Sequence, residues 1–235
     1  MNEIKQLLRN PLFLAGLAIR LVMIASLAPP AAAHWFAPFI AHSLDHPSFD
    51  PWHSFLDSGG TTLAFPYGYA MWIAFLPLGI VCRLVGGDPL WGYFFTLLAC
   101  DMGLLMVLRS LFGATYRKLV PLYWLSPVVL FATYWLGLND LVPVLLLAIG
   151  MLQMRRLRML HAGAFCGAAI SAKLSMVLAI PLIAIYLYRN RALQQLLGQF
   201  GLGLAAAVLV FGAPFLLSPY AMRMLAGNCL LYTSD

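Results

Sequence analysis

The sequence predicts an all-α fold, a polytopic bundle of transmembrane helices, and three observations lead to this prediction. Of the 235 residues, 63% are hydrophobic and only 9% are charged, whereas charged residues make up about a quarter of a typical soluble domain. Several apolar runs approach the roughly 20 residues that a helix needs to cross a bilayer. The runs are continuous rather than alternating, which is typical of helices and not of barrel strands.

The apolar runs define the expected spans in chain order. The first covers about 11–28, contains Arg20 and stops at Pro29 and Pro30, because proline cannot continue the helical hydrogen-bond ladder. The turn Gly86-Gly87-Asp88-Pro89 separates the second span from the third. Later spans are expected at 67–85, 90–108, 119–136, 141–154, 162–188 (one helix or two) and 202–217.

The positive charges sit in short clusters at the ends of these runs, as in Lys/Arg-rich cytoplasmic loops. This pattern lacks the basic stripe of a nucleic-acid interface, so no nucleic-acid partner is expected despite the net charge of +6. Two basic residues before the first span place the amino end in the cytoplasm. If the basic clusters at 109–118, 155–158 and 189–191 are also placed in the cytoplasm, the number of predicted membrane spans between them is one too many or one too few. Either one segment is re-entrant, or the cluster at 109–118 breaks the charge rule.

Both ends of the sequence need separate treatment. Lys5 and Arg9 precede an apolar run that is long for a signal peptide, so we expect a retained signal anchor, with cleavage the alternative. The last seven residues, 229–235, resemble the translation of a sequencing adapter. We therefore expect one incomplete transmembrane domain over 1–228, followed by an unrelated tail.

Polar chemistry concentrates between His34 and Pro66. This stretch holds three of the eight acidic residues and four of the five histidines, and it has no Lys or Arg. We expect it to be a functional loop between the first two spans, on the non-cytoplasmic side. Asp50 is the best candidate for a general base, with Asp45 second and Asp57 third. Trp52 and Tyr67 are candidates for stacking on a sugar; the alternative is an ordinary polar loop with interfacial aromatic residues.

Charged groups within the apolar runs are the second set of candidates. Arg20, Asp101, Asp140 and Lys173 are functional candidates because an unpaired charge in lipid is costly. The alternative is a structural ion pair that orients helices, such as Arg20 with Asp101. Lys173 is the best placed to bind a lipid phosphate. The small residues at 163 and 167 favour close helix packing.

The histidines raise the possibility of a metal. His42, His46, Asp50 and His53 are near helical spacing, which would place them on one face and allow a divalent ion. Solvated surface histidines are the commoner case, and we assign no metal ligand. A histidine, with His53 the candidate, is also able to bind a donor phosphate.

A series of weak motifs gives the chain a family resemblance over about residues 11–190. After the acidic stretch and the aromatic-proline start of the second span, the motifs are, in order, Leu125-Ser126-Pro127, Gly137-Leu138-Asn139-Asp140, Arg155-Arg156, Ala162-Gly163 with Gly167 to Lys173, and Pro181. The arrangement resembles the GT-C superfamily of polyprenyl-phosphate-sugar-dependent glycosyltransferases, particularly its mannosyltransferase-like branches. The stretch lacks the paired acidic motif of several members, which leaves the identity of the base open.

The resemblance implies an inverting glycosyltransferase that moves a hexose, with mannose suggested, from a polyprenyl-phosphate carrier to a lipid, glycan or protein. It implies a multi-pass protein, expected in a bacterial inner membrane, whose partners are the bilayer and the lipid-linked donor. The alternatives are a transporter with a charged pathway through Arg20, Asp101 and Lys173, and a membrane assembly factor. The expected site comprises Asp50 and Asp45 as catalytic residues and, as substrate-binding residues, Lys173, Arg20, His53, Trp52, Tyr67, Asn139 and Asp140.

Overall fold

The computed structural model describes residues 9–113 and 118–231, and all regular secondary structure in these ranges is helical. This confirms the all-α prediction. In chain order the α-helices are α1 (Pro11–Ser26), α2 (Ala37–Asp45), α3 (Pro51–Asp57), α4 (Tyr69–Leu84), α5 (Pro89–Phe112), α6 (Pro127–Leu130), α7 (Leu141–Arg155), α8 (Met159–Ala172), α9 (Ala179–Arg189), α10 (Arg191–Gln194), α11 (Leu197–Ala207), α12 (Ala213–Leu217) and α13 (Pro219–Leu231).

Short π-helical or 3-10 turns join several of these helices into longer rods. They cover Ala32–Phe36, Val120–Trp124, Phe131–Trp135, Leu174–Leu178 and Val208–Gly212. Of the helices in the described part of the chain, α5, with 24 residues, and the rod Leu197–Leu217, with 21, are long and apolar enough to cross a membrane. Six apolar helices are shorter, with 10–17 residues each.

Proline and an acidic or amide cap set the starts of three helices. Asn10, Asp50 and Asp88 each accept a backbone N–H bond from the first turn that follows, and a proline comes next in each case. A proline at the first helical position has no N–H to leave unsatisfied, and its fixed φ suits the helix. The helix starts at Pro11 and Pro89 agree with the spans predicted from about 11 and 90, whereas the helix at Pro51 lies in the stretch predicted to be a loop.

One end of the bundle gathers the polar groups, and we call it the Lys173 end. The ammonium of Lys173, just after α8, pairs with Asp140, just before α7. The hydroxyl of Tyr93, near the start of α5, donates to the carbonyl of Gly137 over 2.7 Å. A Cβ on Gly137 would lie 2.9 Å from the Cβ of Ala32, beyond the end of α1. The junctions α4–α5, α6–α7 and α8–α9 therefore lie together.

The opposite end carries the basic clusters, and we call it the Arg155 end. The guanidinium of Arg155, at the end of α7, donates to the carbonyl of Leu111 near the end of α5. The side chains of Ile183 and Tyr186 of α9 line a cavity with both of these residues. Arg156 and Arg189 follow directly along the chain. Neighbouring basic residues thus gather at this end, whereas Lys173 at the other end is paired with an aspartate.

Helix α4 does not run from one end to the other, contrary to the predicted second span at 67–85. It starts at Gly68, where an added Cβ would lie 2.1 Å from the carbonyl oxygen of Ser171, at the Lys173 end. It finishes with Arg83 paired to Asp45 over 2.7 Å, just before the turn into α5. Because α5 also starts at the Lys173 end, both ends of α4 lie there. When the predicted span at 67–85 is no longer counted as a crossing, the basic clusters that flank α5, α7 and α9 all lie at one end of the bundle.

The stretch from His34 to Pro66 is not a loop, so the prediction of a functional loop between the first two spans is corrected here. It folds into α2 and α3, and its aromatic side chains form much of the main core. Phe39 stacks on Phe65 with ring centroids 4.6 Å apart. Trp52 is fully buried and donates from Nε1 to the carbonyl of Phe65 over 2.9 Å. The polar residues of this stretch led to the prediction of a loop. They instead face outward from two packed helices whose aromatic residues face the core.

Helices α8 and α11 pack with their backbones in close contact. A Cβ on Gly163 would lie 2.0 Å from the carbonyl oxygen of Phe200, and one on Gly167 would lie 2.8 Å from the Cβ of Ala207. The small residues at 163 and 167 therefore let two backbones touch, as the sequence predicts. The contacts also show that α8 and α11 run in the same direction, which brings Ser218, after α12, to the Lys173 end.

Candidate functional site

Asp50 lies at the Lys173 end, where it caps α3 and is bonded to a distant residue. Its Oδ1 accepts the backbone N–H of His53 over 3.0 Å, and its Oδ2 accepts the hydroxyl of Ser218 over 2.6 Å. Its own backbone N–H donates to Ser48 Oγ over 3.2 Å. The side chain is half-buried. An ionised carboxylate has about four acceptor positions, so two remain after these bonds.

An aromatic cavity of about 450 Å³ opens beside Asp50. Its lining residues are Pro47, Ser48, Phe49, Tyr69 and Trp72. The hydroxyl of Tyr69 donates to the carbonyl of Phe49, and Trp72 Nε1 donates to Ser43 Oγ over 2.9 Å, so two of the rings are held in place. Fixed aromatic faces next to a carboxylate suit a sugar ring, whose C–H groups pack on a ring face while its hydroxyls bond to acceptors.

Lys173 forms the second part of the site. Its Nζ pairs with Asp140 Oδ1 and lies 5.8 Å from the ring centroid of Tyr67. The side chains of Lys173 and Asp140 are 30% and 46% exposed, so a ligand can reach the pair. The sequence prediction that Lys173, Asp140 and Tyr67 belong to one site is consistent with this grouping.

Two buried polar side chains that lie near this ion pair in the chain have no hydrogen-bond partner among residues 9–113 and 118–231. The side-chain amide of Asn139 is 1% exposed, and both its oxygen and its nitrogen are unpartnered. Ser171 is 7% exposed, and its hydroxyl is also unpartnered. Leaving such a group buried without a partner costs about 1–3 kcal/mol. Asn139 directly precedes Asp140 and Ser171 lies two residues before Lys173, so unused hydrogen-bonding capacity lies close to both members of the ion pair in the chain.

An apolar groove of about 360 Å³ lies along α4 and α8, below these polar residues. Ala168, one turn before Ser171, and Ala70, two residues after Gly68, line its upper part. The remaining lining residues are Ile73, Ala74, Leu146, Ala164, Phe165 and Phe211. The groove is therefore apolar along its length and has a cation above it, which suits a lipid chain with an anionic head.

Arg20 lies away from this site, in a closed polar cluster. It is 0% exposed; its Nε donates to Asp101 Oδ2 over 2.7 Å, and its guanidinium carbon lies 3.7 Å from the ring centroid of Trp124. The hydroxyls of Tyr123 and Tyr134 donate to the same carboxylate over 2.6 and 3.0 Å. Of the two interpretations that the sequence allowed for Arg20, this geometry favours the structural ion pair over substrate binding.

Three other predicted site residues lie in different surroundings. Asp45 is half exposed and pairs with Arg83, beside a cavity of about 250 Å³ formed with the α4–α5 turn. His53 Nε2 lies 2.9 Å from Asp57 Oδ2, and its ring packs on Tyr220. Trp52, expected to stack on a sugar, is fully buried in the core, and Tyr69 and Trp72 are the rings that face the cavity by Asp50.

The histidines do not form the single face that their spacing suggests. His42 and His46 lie close together, with ring centroids 4.7 Å apart, but α2 ends at Asp45 and the chain turns before His53. Within residues 9–113 and 118–231, no three His, Cys, Asp or Glu side chains come together as a metal-binding group. The divalent metal that the sequence allowed stays a prediction.

Ser218 is one of the site residues that the sequence analysis did not identify, together with Tyr69, Trp72 and Ser171. It is 168 positions from Asp50 in the chain. The only local signal was Ser218-Pro219, a helix break after the last apolar run. No protein-family model, curated protein or solved structure matches this chain.

Proposed function

We propose that this chain is a multi-pass membrane glycosyltransferase of GT-C type that transfers a hexose from a polyprenyl-phosphate carrier with inversion. The observation that carries the proposal is that the apolar groove runs along α4 and α8 toward the end of the bundle where a reachable cation, Lys173, follows α8. A prenyl chain in the groove would bring its phosphate to Lys173. Asp50, Tyr69 and Trp72 lie at the same end of the bundle.

The charge separation of the bundle supports the membrane part of the proposal. With α4 confined to the Lys173 end, the proposed topology has seven crossings among the described residues: α1, α5, the rod Val120–Trp135, α7, α8, the rod Leu174–Arg189 and the rod Leu197–Leu217. Of these, α5 and the rod Leu197–Leu217 are long and apolar enough to cross by length and composition. The basic clusters at the ends of α5, α7 and α9 then fall on one side, which is the cytoplasmic side by the charge rule. The basic side chains Arg83 and Lys173, at the other end, are each paired with an aspartate. The Lys173 end faces the opposite side, which is the periplasmic side if the membrane is a bacterial inner membrane.

In the proposed reaction, an acceptor hydroxyl attacks the anomeric carbon of the hexose. The bond between that carbon and the phosphate oxygen breaks, and its electron pair leaves on the phosphate. Asp50 accepts the proton of the hydroxyl through a position that is not used by His53 or Ser218. Lys173 stabilises the negative charge that develops on the phosphate. Attack from the face opposite the phosphate inverts the anomeric configuration.

The closed Arg20 cluster argues against the transporter alternative. A charged pathway through Arg20 and Asp101 needs both side chains to face water or a passing solute. Both are 0% exposed and are bonded to each other. The aromatic cavity and the groove have no counterpart in that alternative.

The proposal is tested by transfer of radiolabelled mannose from a polyprenyl-phosphate donor, with the purified chain in liposomes and a crude glycolipid acceptor pool. Asp50→Asn should lower transfer by about 10²–10⁴, the typical contribution of a general base. Asparagine caps helices as well as aspartate does, so folding should be preserved. Asp88→Asn, which also replaces a capping aspartate at the Lys173 end, is the matched control and should transfer normally. Loss in Asp45→Asn with full activity in Asp50→Asn would move the base to Asp45; full activity in both would refute the mechanism.

A further inference from the structure

We propose that Asp140 is a built-in competitor for the anion site of Lys173, so that a phosphate binds by displacing this carboxylate. The inference rests on the proposed function for the class of ligand, a prenyl phosphate. It adds a regulatory contact, because in the ligand-free site the carboxylate of Asp140 occupies the ammonium of Lys173.

The ion pair itself is the first step in the argument. Lys173 Nζ contacts Asp140 Oδ1 in the ligand-free chain, although both side chains are partly exposed. Exposed ion pairs of this kind contribute little to stability, because water solvates both charges well. A prenyl phosphate has more acceptor oxygens than a carboxylate and carries one negative charge when it is joined to a sugar and up to two when it is free. It can therefore replace the carboxylate at this ammonium at little cost.

The second step is the unused polar capacity around the pair. Asn139 has two unpartnered amide atoms and Ser171 an unpartnered hydroxyl, and both residues are more than nine-tenths buried. Asp140 does not satisfy them, since its contact in the described part of the chain is to Lys173. A phosphate oxygen accepts hydrogen bonds from an amide N–H and from a hydroxyl, so Asn139 Nδ2 and Ser171 Oγ supply two unused donors that suit an anion with more oxygens than the carboxylate that is present.

The third step is that Asp140 is dispensable for the local fold. It is the residue before α7, but its side chain makes no capping hydrogen bond to that helix. Asparagine and serine at this position are both good helix caps. Replacing Asp140 with either removes the competing charge and keeps the helix start.

The test is equilibrium binding of geranylgeranyl phosphate to the purified full chain in detergent micelles, with geranylgeraniol and inorganic phosphate as separate probes. Lys173→Gln should weaken binding of geranylgeranyl phosphate at least tenfold. Asp140→Asn and Asp140→Ser should each tighten it about tenfold, and the matched control Asp88→Asn should leave it unchanged. Binding of geranylgeraniol should be the same in all variants. Thermal unfolding in the same detergent verifies that each variant is folded.

Weaker or unchanged binding in both folded Asp140 variants would overturn the inference, since Asp140 would then support Lys173 or play no part. The proposed function fails in a different way: wild-type chain that binds no geranylgeranyl phosphate, or binds it independently of Lys173, refutes the donor site. Binding of inorganic phosphate as tight as that of geranylgeranyl phosphate, with the same response to Asp140→Asn, would support the exchange and refute the lipid assignment.

Discussion

The buried pair of Arg20 and Asp101 makes a quantitative prediction that separates a structural role from a substrate-binding one. Both side chains are 0% exposed, and the carboxylate accepts three side-chain hydrogen bonds. Removing one member of a buried pair leaves the other charge uncompensated, which typically costs about 3–5 kcal/mol. Asp101→Leu and Arg20→Met should each destabilise the chain by about this amount.

The double variant Arg20→Met/Asp101→Leu should be much less destabilised than the sum of the two single variants. It leaves no uncompensated charge, and replacement of a whole buried pair by apolar residues is often neutral. It does leave the hydroxyls of Tyr123 and Tyr134 without their acceptor, at about 1–3 kcal/mol each. We therefore expect a loss of about 2–6 kcal/mol in the double variant, against about 6–10 kcal/mol for the sum of the single variants, and so a coupling of about 4 kcal/mol between the two sites.

The assay is a double-mutant cycle measured by reversible unfolding in mixed micelles, with binding of geranylgeranyl phosphate measured on the same samples. Additive losses would refute the structural pair, because independent residues show no coupling. A folded Arg20→Met variant of normal stability that fails to bind the prenyl phosphate would assign Arg20 to the donor site.

Two further predictions concern packing and the position of the proposed base. Gly203→Ala should destabilise the chain by about 1–3 kcal/mol, because its Cβ would lie 2.0 Å from the carbonyl oxygen of Leu160. Gly201 is in the same helix, and a Cβ there would have nothing within 4 Å. Gly201→Ala should therefore stabilise the chain by about 0.5–1 kcal/mol in the same unfolding assay. Equal effects would contradict the close contact of α8 and α11. Ser218→Ala should lower the transfer rate several-fold with little change in the KM for the donor, because it removes a 2.6 Å bond that orients Asp50; an unchanged rate would show that Ser218 does not position the base.

The parts of the fold that the sequence predicts are those governed by local physics. Caps followed by proline define helix starts at Pro11 and Pro89, and the turn at 86–89 needs only its glycines. Small residues at 163 and 167 predict close packing without naming the partner helix. The buried pair of Arg20 and Asp101 was one of two stated alternatives, since two opposite charges in apolar runs have few other ways to be compensated.

What the sequence missed depends on contacts between distant segments. Apolar composition does not distinguish a crossing helix from α4, which begins and ends at the Lys173 end. Trp52 was taken for a ligand contact because polar neighbours surround it in sequence, but the helix turns it into the core. Nothing in the sequence predicted that Ser218 contacts Asp50, since only the parallel packing of α8 and α11 brings the two residues together.

The central claim is that the candidate site occupies one end of the bundle, on one side of a membrane, with α4 beginning and ending there. Its most direct test is labelling of single cysteines with a membrane-impermeant maleimide, in sealed vesicles of known orientation and in a chain otherwise free of cysteine. Ser58→Cys, in the turn after α3, and Val85→Cys, after α4, should react from the same, non-cytoplasmic side. Arg156→Cys should react only from the cytoplasmic side. Labelling of Val85→Cys from the side of Arg156→Cys would contradict the account, because α4 would then cross the membrane.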